Sequence, residues 1–198
     1  MNTPRIVLAS SSRYRRELLE RLHLSFEVLV PDLDESHLPG ESPRATALRL
    51  AAAKARAVAE RAPGAVVIGS DQVADLDGEA LGKPHTHENA VAQLTRMQGK
   101  LIVFHTALAV VAADGSLQSE VVPTLLRMRP LSQETIEAYL RLEQPYDCAG
   151  AAKIEKMGIA LVEAVDSTDP TALIGLPLVR LCSMLAQAGV PVLPGYRA

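Results

Sequence analysis

Short apolar segments alternate along this chain with segments of helical periodicity, and this alternation restricts the folds open to it. The pattern predicts a strand over residues 5–9, a helix over residues 12–23 and a second strand over residues 26–30. Strands that alternate with helices are typical of α/β domains, in which helices cover a central sheet.

Polar residues mark where the later helices should begin and end. Ser42 precedes Pro43, and a hydroxyl N-cap followed by proline at the first helical position is a helix start. Ser132 and Thr86 are candidate N-caps of two further helices. A last amphipathic helix should end near Gly189.

Turn signals interrupt the alternation and predict hairpins within the sheet. Asp77 followed by Gly78 should turn one strand back, and another Asp-Gly pair joins two of three β-prone segments within residues 101–128. A further strand is predicted over residues 158–165. Hairpins beside helical crossovers predict a mixed central sheet flanked by helices rather than a purely parallel one.

The composition argues against several classes of protein. The chain of 198 residues is 48% hydrophobic and 22% charged, which suits a globular domain and argues against disorder. A net charge of −3 argues against a general nucleic-acid or membrane-surface binder, so any basic site must be local. No apolar run reaches the ~20 residues of a membrane span. Cys148 and Cys182 lack Cys-x-x-Cys spacing, so we expect buried, reduced thiols in a cytoplasmic protein.

The segment SSSRYRR, at residues 10–16, concentrates hydrogen-bond donors and positive charge where a strand gives way to a helix. Free backbone N–H groups and the positive end of the helix dipole bind anions at such a point, and the serines add hydroxyl donors. Arg15 or Arg16 would add a guanidinium that matches phosphate oxygens. The segment alone leaves open a simpler interpretation, a serine-capped helix with surface arginines.

Asp71, in IGSDQV, is predicted to end an apolar strand, where α/β domains place their active sites. An aspartate there can hold a metal ion or activate a water molecule, although a turn-forming aspartate would show the same pattern. The nearby DLDG, at residues 75–78, resembles the start of a phosphatase motif but does not follow the strand directly. We interpret DLDG as a hairpin turn.

Three further charged residues are ambiguous when each is taken alone. Glu35 ends an acidic loop, Lys54 lies within a predicted helix, and Lys83 lies in a bend between glycine and proline. The histidines lack metal-ligand spacing, and no glycine-rich nucleotide-binding fingerprint is present. Together, the donor-rich helix start, the carboxylates and the cations suit a metal-assisted reaction at a polyphosphate.

Seven segments, in order and with suitable spacing, match one family. They are LASSSRYRRELLERL, PDLDE, RLAAAKA, IGSDQV, LGKP, AGAAKIE and TALIGLPL, and they resemble the motifs of the Maf proteins over about residues 5–190. The resemblance implies a nucleoside triphosphate pyrophosphatase that cleaves between the α- and β-phosphates with a divalent metal cation (Mg2+, Mn2+ or Co2+). It implies one α/β domain over residues 1–198, with a long mixed sheet forming two lobes around a nucleotide cleft. This fold is related to that of the inosine triphosphate pyrophosphatases, and many Maf proteins are homodimers.

The match also implies roles for individual residues. Asp71 would be the general base that activates water, and Glu35 would bind the metal together with Asp71. The residues expected to hold the phosphates are Ser10, Ser12, Arg15, Lys54 and Lys83.

Three positions distinguish branches of the family, and here they are Tyr14, Gln72 and Glu155. This set resembles the branch that hydrolyses 7-methyl-GTP, whereas the dTTP- and UTP-preferring branch tends to have arginine, threonine and glutamine. Methylated guanine is a cation, so an aromatic face attracts it, and a carboxylate can accept hydrogen bonds from its N1 and N2 edge. The chain departs from this branch at Arg13 and Lys156, where the branch usually has proline and glycine.

Other functions stay open at this stage. A pyrophosphatase acting on dTTP, UTP or another modified nucleotide would share the chemistry. A phosphomonoesterase that uses DLDG would release orthophosphate, and a non-catalytic nucleotide-binding regulator of septum formation would bind without turnover. The expected partner is a nucleoside triphosphate, with neither nucleic acid nor a membrane.

Overall fold

The computed structural model describes residues 4–196, within which seven strands form one sheet and five α-helices flank it. The strands are β1 (Ile6–Ala9), β2 (Glu27–Val28), β3 (Val66–Leu76), β4 (Glu79–Leu81), β5 (Leu101–Val111), β6 (Leu117–Met128) and β7 (Val162–Ser167). The helices are α1 (Arg13–Glu20), α2 (Pro43–Arg61), α3 (His87–Met97), α4 (Gln133–Glu143) and α5 (Leu178–Gln187). The strand order is β2-β1-β3-β5-β6-β7, with β4 paired to β3.

Parallel and antiparallel pairs both occur in this sheet. β1 pairs in parallel with β2 and β3, whereas β3, β5, β6 and β7 pair antiparallel in succession, and β4 pairs antiparallel with β3. The prediction of an α/β fold with a mixed, helix-flanked sheet is confirmed. None of the helices within residues 4–196 is long and apolar enough to cross a membrane.

Helices pack on both faces of the sheet. α2 lies on one face, where its alanines contact valines of β1 and β3. α1 and α5 pack on the opposite face over β1 and the start of β3, and α3 and α4 pack on that same face towards the end of β3. Because side chains alternate along a strand, β3 contributes to the core on both faces.

Polar residues interrupt the core at the centre of β3. Ile68 belongs to the core beneath α1 and α5, and Ala74 belongs to the core beneath α3 and α4. Ser70 and Gln72 lie between these two residues on the same face. The two cores are therefore separated by a polar row.

The same stretch of β3 lacks a neighbour on one edge. β1 pairs only with residues 66–69 of β3, and β4 pairs only with residues 74–76. Within the described part of the chain, no strand covers residues 70–73 on this edge, and the cleft opens there.

The predicted helix starts and the first hairpin are confirmed. Hydroxyls of Ser42, Thr86 and Ser132 accept a hydrogen bond from the N–H three residues later, at 3.3, 3.2 and 3.2 Å. Asp77 and Gly78 form the tip of the β3–β4 hairpin, where both have a positive φ, of 57° and 87°.

Residues 101–128 form two long strands rather than the three predicted segments. Pro123 lies inside β6 and does not interrupt this strand. The Pro123 carbonyl accepts a hydrogen bond from Ser167 Oγ at 3.4 Å, so the backbone of Pro123 faces β7. β7, however, pairs with β6 only from Thr124 onward. The missing N–H of proline therefore removes no bond from the sheet.

The strand predicted over residues 158–165 begins only at Val162. Met157–Leu161 instead forms a 3-10 turn in which Gly158 packs against the backbone of Lys153, where a Cβ would lie 2.5 Å from the Lys153 carbonyl oxygen. Both α1 and β2 are also shorter than predicted.

Asp71 lies at the centre of its strand rather than at the end. β3 is 11 residues long because β5 pairs along most of its length, and Asp71 is opposite Ala107. β1, by contrast, ends at Ala9, opposite Gly69. The carboxyl end of β1, not that of β3, therefore opens the sheet beside Asp71.

Cys148 and Cys182 are free, as predicted, but each is partly exposed rather than buried. Desolvation, together with the negative charge of Asp147, raises the pKa of Cys148 to about 12. Cys148 is therefore a poor nucleophile at neutral pH.

We expect Gly69→Ala to lower the free energy of unfolding by about 1–3 kcal/mol, because overpacking displaces α2 from β3. A Cβ at Gly69 would overlap the Ala51 carbonyl oxygen. Urea denaturation measures the change. Gly82→Ala is the matched control, since a Cβ there meets nothing within 4 Å, and its effect should stay within about 0.5 kcal/mol. Equal effects of the two substitutions would contradict the importance of the close contact.

Candidate functional site

The ten residues to which the family resemblance assigns a role all line one cleft of about 810 Å³. They are Ser10, Ser12, Tyr14, Arg15, Glu35, Lys54, Asp71, Gln72, Lys83 and Glu155. The fold thus brings together side chains from segments that lie up to 145 positions apart in the sequence.

The serine–arginine segment forms a donor-rich cradle at the start of α1. Ser12 caps the helix by accepting the Arg15 N–H at 3.4 Å, and the Ser12 N–H donates to Ser10 Oγ at 3.1 Å. The Arg15 side chain donates from Nε to the Gly175 carbonyl at 2.9 Å and from Nη1 to Ser10 Oγ at 3.4 Å. Because Nε is committed to the protein, the outer edge of the guanidinium is left for the oxygens of a ligand.

Desolvation lowers the pKa of the Arg15 guanidinium from its ordinary value, while the negative charges of Asp71 and Glu35 oppose that shift. A guanidinium keeps its charge at neutral pH even in such surroundings. The cradle therefore combines a fixed positive charge with the positive end of a helix, which suits an anion such as phosphate.

Lys54 joins the two carboxylates on the α2 face of the sheet. Its Nζ donates to Glu35 Oε2 and to Asp71 Oδ1, both at 2.7 Å. Lys54 and Asp71 are buried, whereas Glu35 is exposed. The two carboxylates therefore converge on a single point at the cleft wall.

This donor set fits a divalent cation such as Mg2+. Carboxylate oxygens are the protein ligands that Mg2+ prefers, and it commonly takes one or two of them together with substrate phosphate oxygens and waters. Within the described residues no group of three or more His, Cys, Asp or Glu side chains could hold a metal alone. Glu35 and Asp71 would accordingly form a site that a phosphate completes.

Lys83 enters the cleft from the opposite side, in the loop between β4 and α3. Two contacts fix this loop: the Gly82 carbonyl accepts from Gln93 Nε2 at 3.0 Å, and the His85 N–H donates to the Tyr146 carbonyl at 3.0 Å. Lys83 itself is exposed, so its ammonium is accessible to a ligand.

Tyr14 and Glu155 lie in the same cleft, with a second carboxylate, Asp147. The guanidinium of Arg13 covers Tyr14: its Cζ is 4.8 Å from the ring centroid, and Nη2 donates to the phenol oxygen at 3.0 Å. This hydrogen bond raises the pKa of Arg13 from its ordinary value.

Gln72 points to the face of β3 opposite Asp71. Its Nε2 lies 2.9 Å from Thr106 Oγ1, 3.1 Å from the Ala172 carbonyl and 3.0 Å from the Leu173 carbonyl. The amide N–H groups are thus engaged with the protein, although Gln72 also borders the cleft.

Sequence reasoning missed several polar residues that support the site. Ser70 and Thr106 are fully buried on the same face as Gln72. The sequence does not distinguish them as site residues, since a hydroxyl within an apolar strand is common. Asp169 is also fully buried and accepts the N–H groups of Val179 and Arg180 at 2.8 and 3.2 Å. It lies nine positions before α5, outside the usual spacing of a helix cap.

We expect Lys54→Met to lower the free energy of unfolding by about 3 kcal/mol or more, because it leaves the buried Asp71 carboxylate without its cation. Urea denaturation at neutral pH measures the loss. Lys100→Met is the control, since the exposed Lys100–Asp77 pair should contribute at most about 1 kcal/mol. The double substitution Lys54→Met/Asp71→Leu should recover much of the loss, and no recovery would count against this explanation.

Comparisons with known proteins place the chain in a family. A family model described as Maf-like protein matches residues 5–188. A relative named 7-methyl-GTP pyrophosphatase from Polaromonas sp. is 62% identical over 93% of this chain and 85% of its own length. A relative of the same name from Thiobacillus denitrificans is 60% identical over 96% of each chain.

Among solved structures, the Staphylococcus aureus Ham1 protein is similar over 63% of this chain and 71% of its own, with 18% identity and a TM-score of 0.45. A likeness at that level carries no argument about function. The family model, in contrast, covers most of the sequence, and the chain belongs to the Maf-like protein family.

Proposed function

We propose that this protein is a nucleoside triphosphate pyrophosphatase that hydrolyses 7-methyl-GTP to 7-methyl-GMP and diphosphate. The convergence of phosphate-binding cations, a buried aspartate and an aromatic–acidic pair in one cleft carries the proposal. The names of the curated relatives, at 56–62% identity over 93–96% of this chain, support the same substrate.

The phosphate end of the substrate would lie between the cradle and Lys83. Ser10, Ser12 and Arg15 supply donors from one side, and Lys83 supplies a cation from the other. Groups that are held in place before the substrate arrives stabilise charge that develops on phosphate oxygens during the reaction. The contacts of Arg15 with Gly175 provide such preorganisation.

Asp71 would act as the general base. Its carboxylate takes a proton from a water molecule, and the oxygen of that water bonds to the α- or the β-phosphorus. The bond between this phosphorus and the bridging oxygen breaks at the same time. Attack at either phosphorus gives 7-methyl-GMP and diphosphate. Lys54, 2.7 Å from the carboxylate, holds Asp71 in place and offsets its charge before the proton transfer.

A divalent cation (Mg2+, Mn2+ or Co2+) held by Glu35 and Asp71 would polarise the phosphate oxygens. Lys54 Nζ contacts both carboxylates and borders the cleft, so it is suited to donate to a phosphate oxygen held beside them. Lys54 would then contact the phosphates as well as stabilise the folded protein.

A 7-methylguanine base would lie between Tyr14 and the carboxylates Glu155 and Asp147. The base carries a positive charge, which favours an aromatic face and an acidic wall over the neutral pyrimidine of UTP or dTTP. Both carboxylates border the cleft that contains Tyr14. We also propose that the chain acts in the cytoplasm as one domain of two lobes, and that it forms a homodimer, as the family resemblance implies.

The structure gives no support to a phosphomonoesterase that uses DLDG. Asp75 is not among the residues that line the cleft. Its carboxylate accepts the Gly78 N–H at 2.7 Å within the hairpin and lies 3.1 Å from His105 Nε2. These contacts account for Asp75 as a turn residue.

A product assay tests the reaction. With Mg2+ and 7-methyl-GTP, we expect diphosphate as the product and a decrease in kcat of roughly 10²–10⁴-fold in Asp71→Asn, because the general base is lost. Asp75→Asn, on the same strand, should change kcat by less than about twofold, since it lies outside the cleft. Orthophosphate as the direct product, or loss of activity in Asp75→Asn instead, would indicate the phosphomonoesterase. Tight binding without turnover would indicate the regulator.

Base selectivity tests the substrate. We expect Glu155→Gln to lower the ratio of kcat/KM for 7-methyl-GTP to that for UTP about tenfold or more, since hydrogen bonds to a charged group contribute about 1.5–3 kcal/mol. Lys156→Gln is the matched control, because it changes the charge at the next position without removing a group from the cleft. An unchanged ratio in Glu155→Gln would rule out Glu155 as a reader of the base.

A further inference from the structure

We infer that Gln72 is a positioning residue, whose side-chain amide holds the turn at residues 172–175 against the sheet and so fixes Arg15 and one wall of the cleft. Under this inference Gln72 influences the reaction through the 172–175 turn and not by contact with the nucleotide base. The inference rests on the proposed function for its effect on catalysis, but the holding of the turn can be measured without turnover.

Three acceptors surround the amide nitrogen of Gln72. They are Thr106 Oγ1 and the carbonyls of Ala172 and Leu173, at distances of 2.9, 3.1 and 3.0 Å. An amide nitrogen has two N–H groups, so these acceptors account for its whole donor capacity. Thr106 in turn donates from Oγ1 to the Ala172 carbonyl at 2.9 Å. Gln72 and Thr106 together therefore bind the backbone of the turn to the buried face of the sheet.

The far end of the turn carries the acceptor that orients Arg15. The Gly175 carbonyl accepts from Arg15 Nε and from Ser70 Oγ, both at 2.9 Å. Gly175 has a φ of 117°, a backbone conformation that side chains disfavour, and the Arg15 Nε lies 3.6 Å from where a Cβ would be. The turn therefore packs its backbone directly on the arginine of the cradle.

The middle of the turn borders the cleft itself. Leu173 and Ile174 line it together with Gly175. A displacement of the turn would thus move an apolar part of the cleft wall and the acceptor of Arg15 at the same time. A difference at position 72 can change catalysis and selectivity without any contact between that side chain and the base.

Thr106 makes the inference testable, because it belongs to the same arrangement but has no access to a ligand. It is fully buried and is not among the residues that line the cleft. Thr106→Val keeps the shape of the side chain and removes the hydroxyl that contacts both Gln72 and the Ala172 carbonyl. If Gln72 acts through the turn, this substitution must reproduce the effect of Gln72→Met.

The experiment measures kcat/KM on 7-methyl-GTP, GTP and UTP for Gln72→Met, Thr106→Val and the double variant. We expect the two single substitutions to lower kcat/KM with the same pattern across the three nucleotides, by roughly tenfold on 7-methyl-GTP, because small misplacements of binding groups cost up to ~100-fold. The double variant should lose no more than either single variant. Gln72→Glu, whose carboxylate cannot donate and is repelled by the Ala172 and Leu173 carbonyls, should lower kcat/KM at least as far as Gln72→Met does.

A matched control variant and a second measurement distinguish an effect on the turn from general destabilisation of the protein. Thr124→Val removes a buried hydroxyl from the same sheet, where it contacts Ser167 rather than the turn, and should change kcat/KM by less than about twofold. Hydrogen exchange followed by mass spectrometry should be faster in a peptide over residues 171–176 of Gln72→Met and Thr106→Val. Exchange in α3 should be unchanged.

Each possible result of these measurements either supports or overturns the inference about Gln72. A change of selectivity in Gln72→Met that is absent from Thr106→Val would make Gln72 a direct reader of the base and overturn the inference. Additive losses in the double variant, or unchanged exchange over residues 171–176, would overturn it as well. If the wild-type protein hydrolyses none of the nucleotides, the proposed function fails, whereas faster exchange in both variants would still show that Gln72 and Thr106 hold the turn.

Discussion

The close approach of α2 to β3 at Gly69 is the contact on which the arrangement of the site depends. The backbone of Ala51 lies where a side chain at position 69 would be, so only glycine permits this separation. Asp71 follows Gly69 on the same face of β3, and Lys54 follows Ala51 one helical turn later. The close packing of helix and strand therefore sets the 2.7 Å contact between Lys54 and Asp71.

β3 keeps two kinds of chemistry apart by using its two faces. Asp71 points towards α2, where a buried cation compensates its charge. Gln72 points the other way, where its donors meet the backbone carbonyls of the 172–175 turn. Because adjacent residues of a strand cannot share a face, the pair DQ places a carboxylate and an amide back to back. The cleft can open at the centre of the sheet because the edge of β3 is unpaired between β1 and β4.

Local features of the fold could be predicted from the sequence because they depend on nearby residues. The helix caps at Ser42, Thr86 and Ser132 and the hairpin at Asp77 are of this kind, since the side chain and its partner lie within three residues. The ten candidate residues could be named because their motifs occur in a fixed order, and the fold places all of them in one cleft. Their individual roles stay predictions.

Features that depend on partners distant in sequence could not be predicted. The central position of Asp71 results from β5, which extends β3 well past the end of β1. Ser70 and Thr106 appear as isolated hydroxyls in apolar strands, and their acceptors, in β5 and in the 172–175 turn, lie 37 or more residues further on. Periodicity carries information about which face a residue occupies, but none about which loop will cover it.

The contact between Arg13 and Tyr14 bears on how strongly the cleft would favour a cationic base. A methylated guanine that stacks on Tyr14 must displace the guanidinium from the ring or share the ring with it. An exposed cation–π contact contributes about 0.5–1 kcal/mol, so its loss weakens binding by roughly two- to fivefold. The charge-assisted hydrogen bonds proposed for Glu155 are worth about 1.5–3 kcal/mol. Because the second contribution exceeds the first, arginine at position 13 would reduce a preference for 7-methyl-GTP without reversing it.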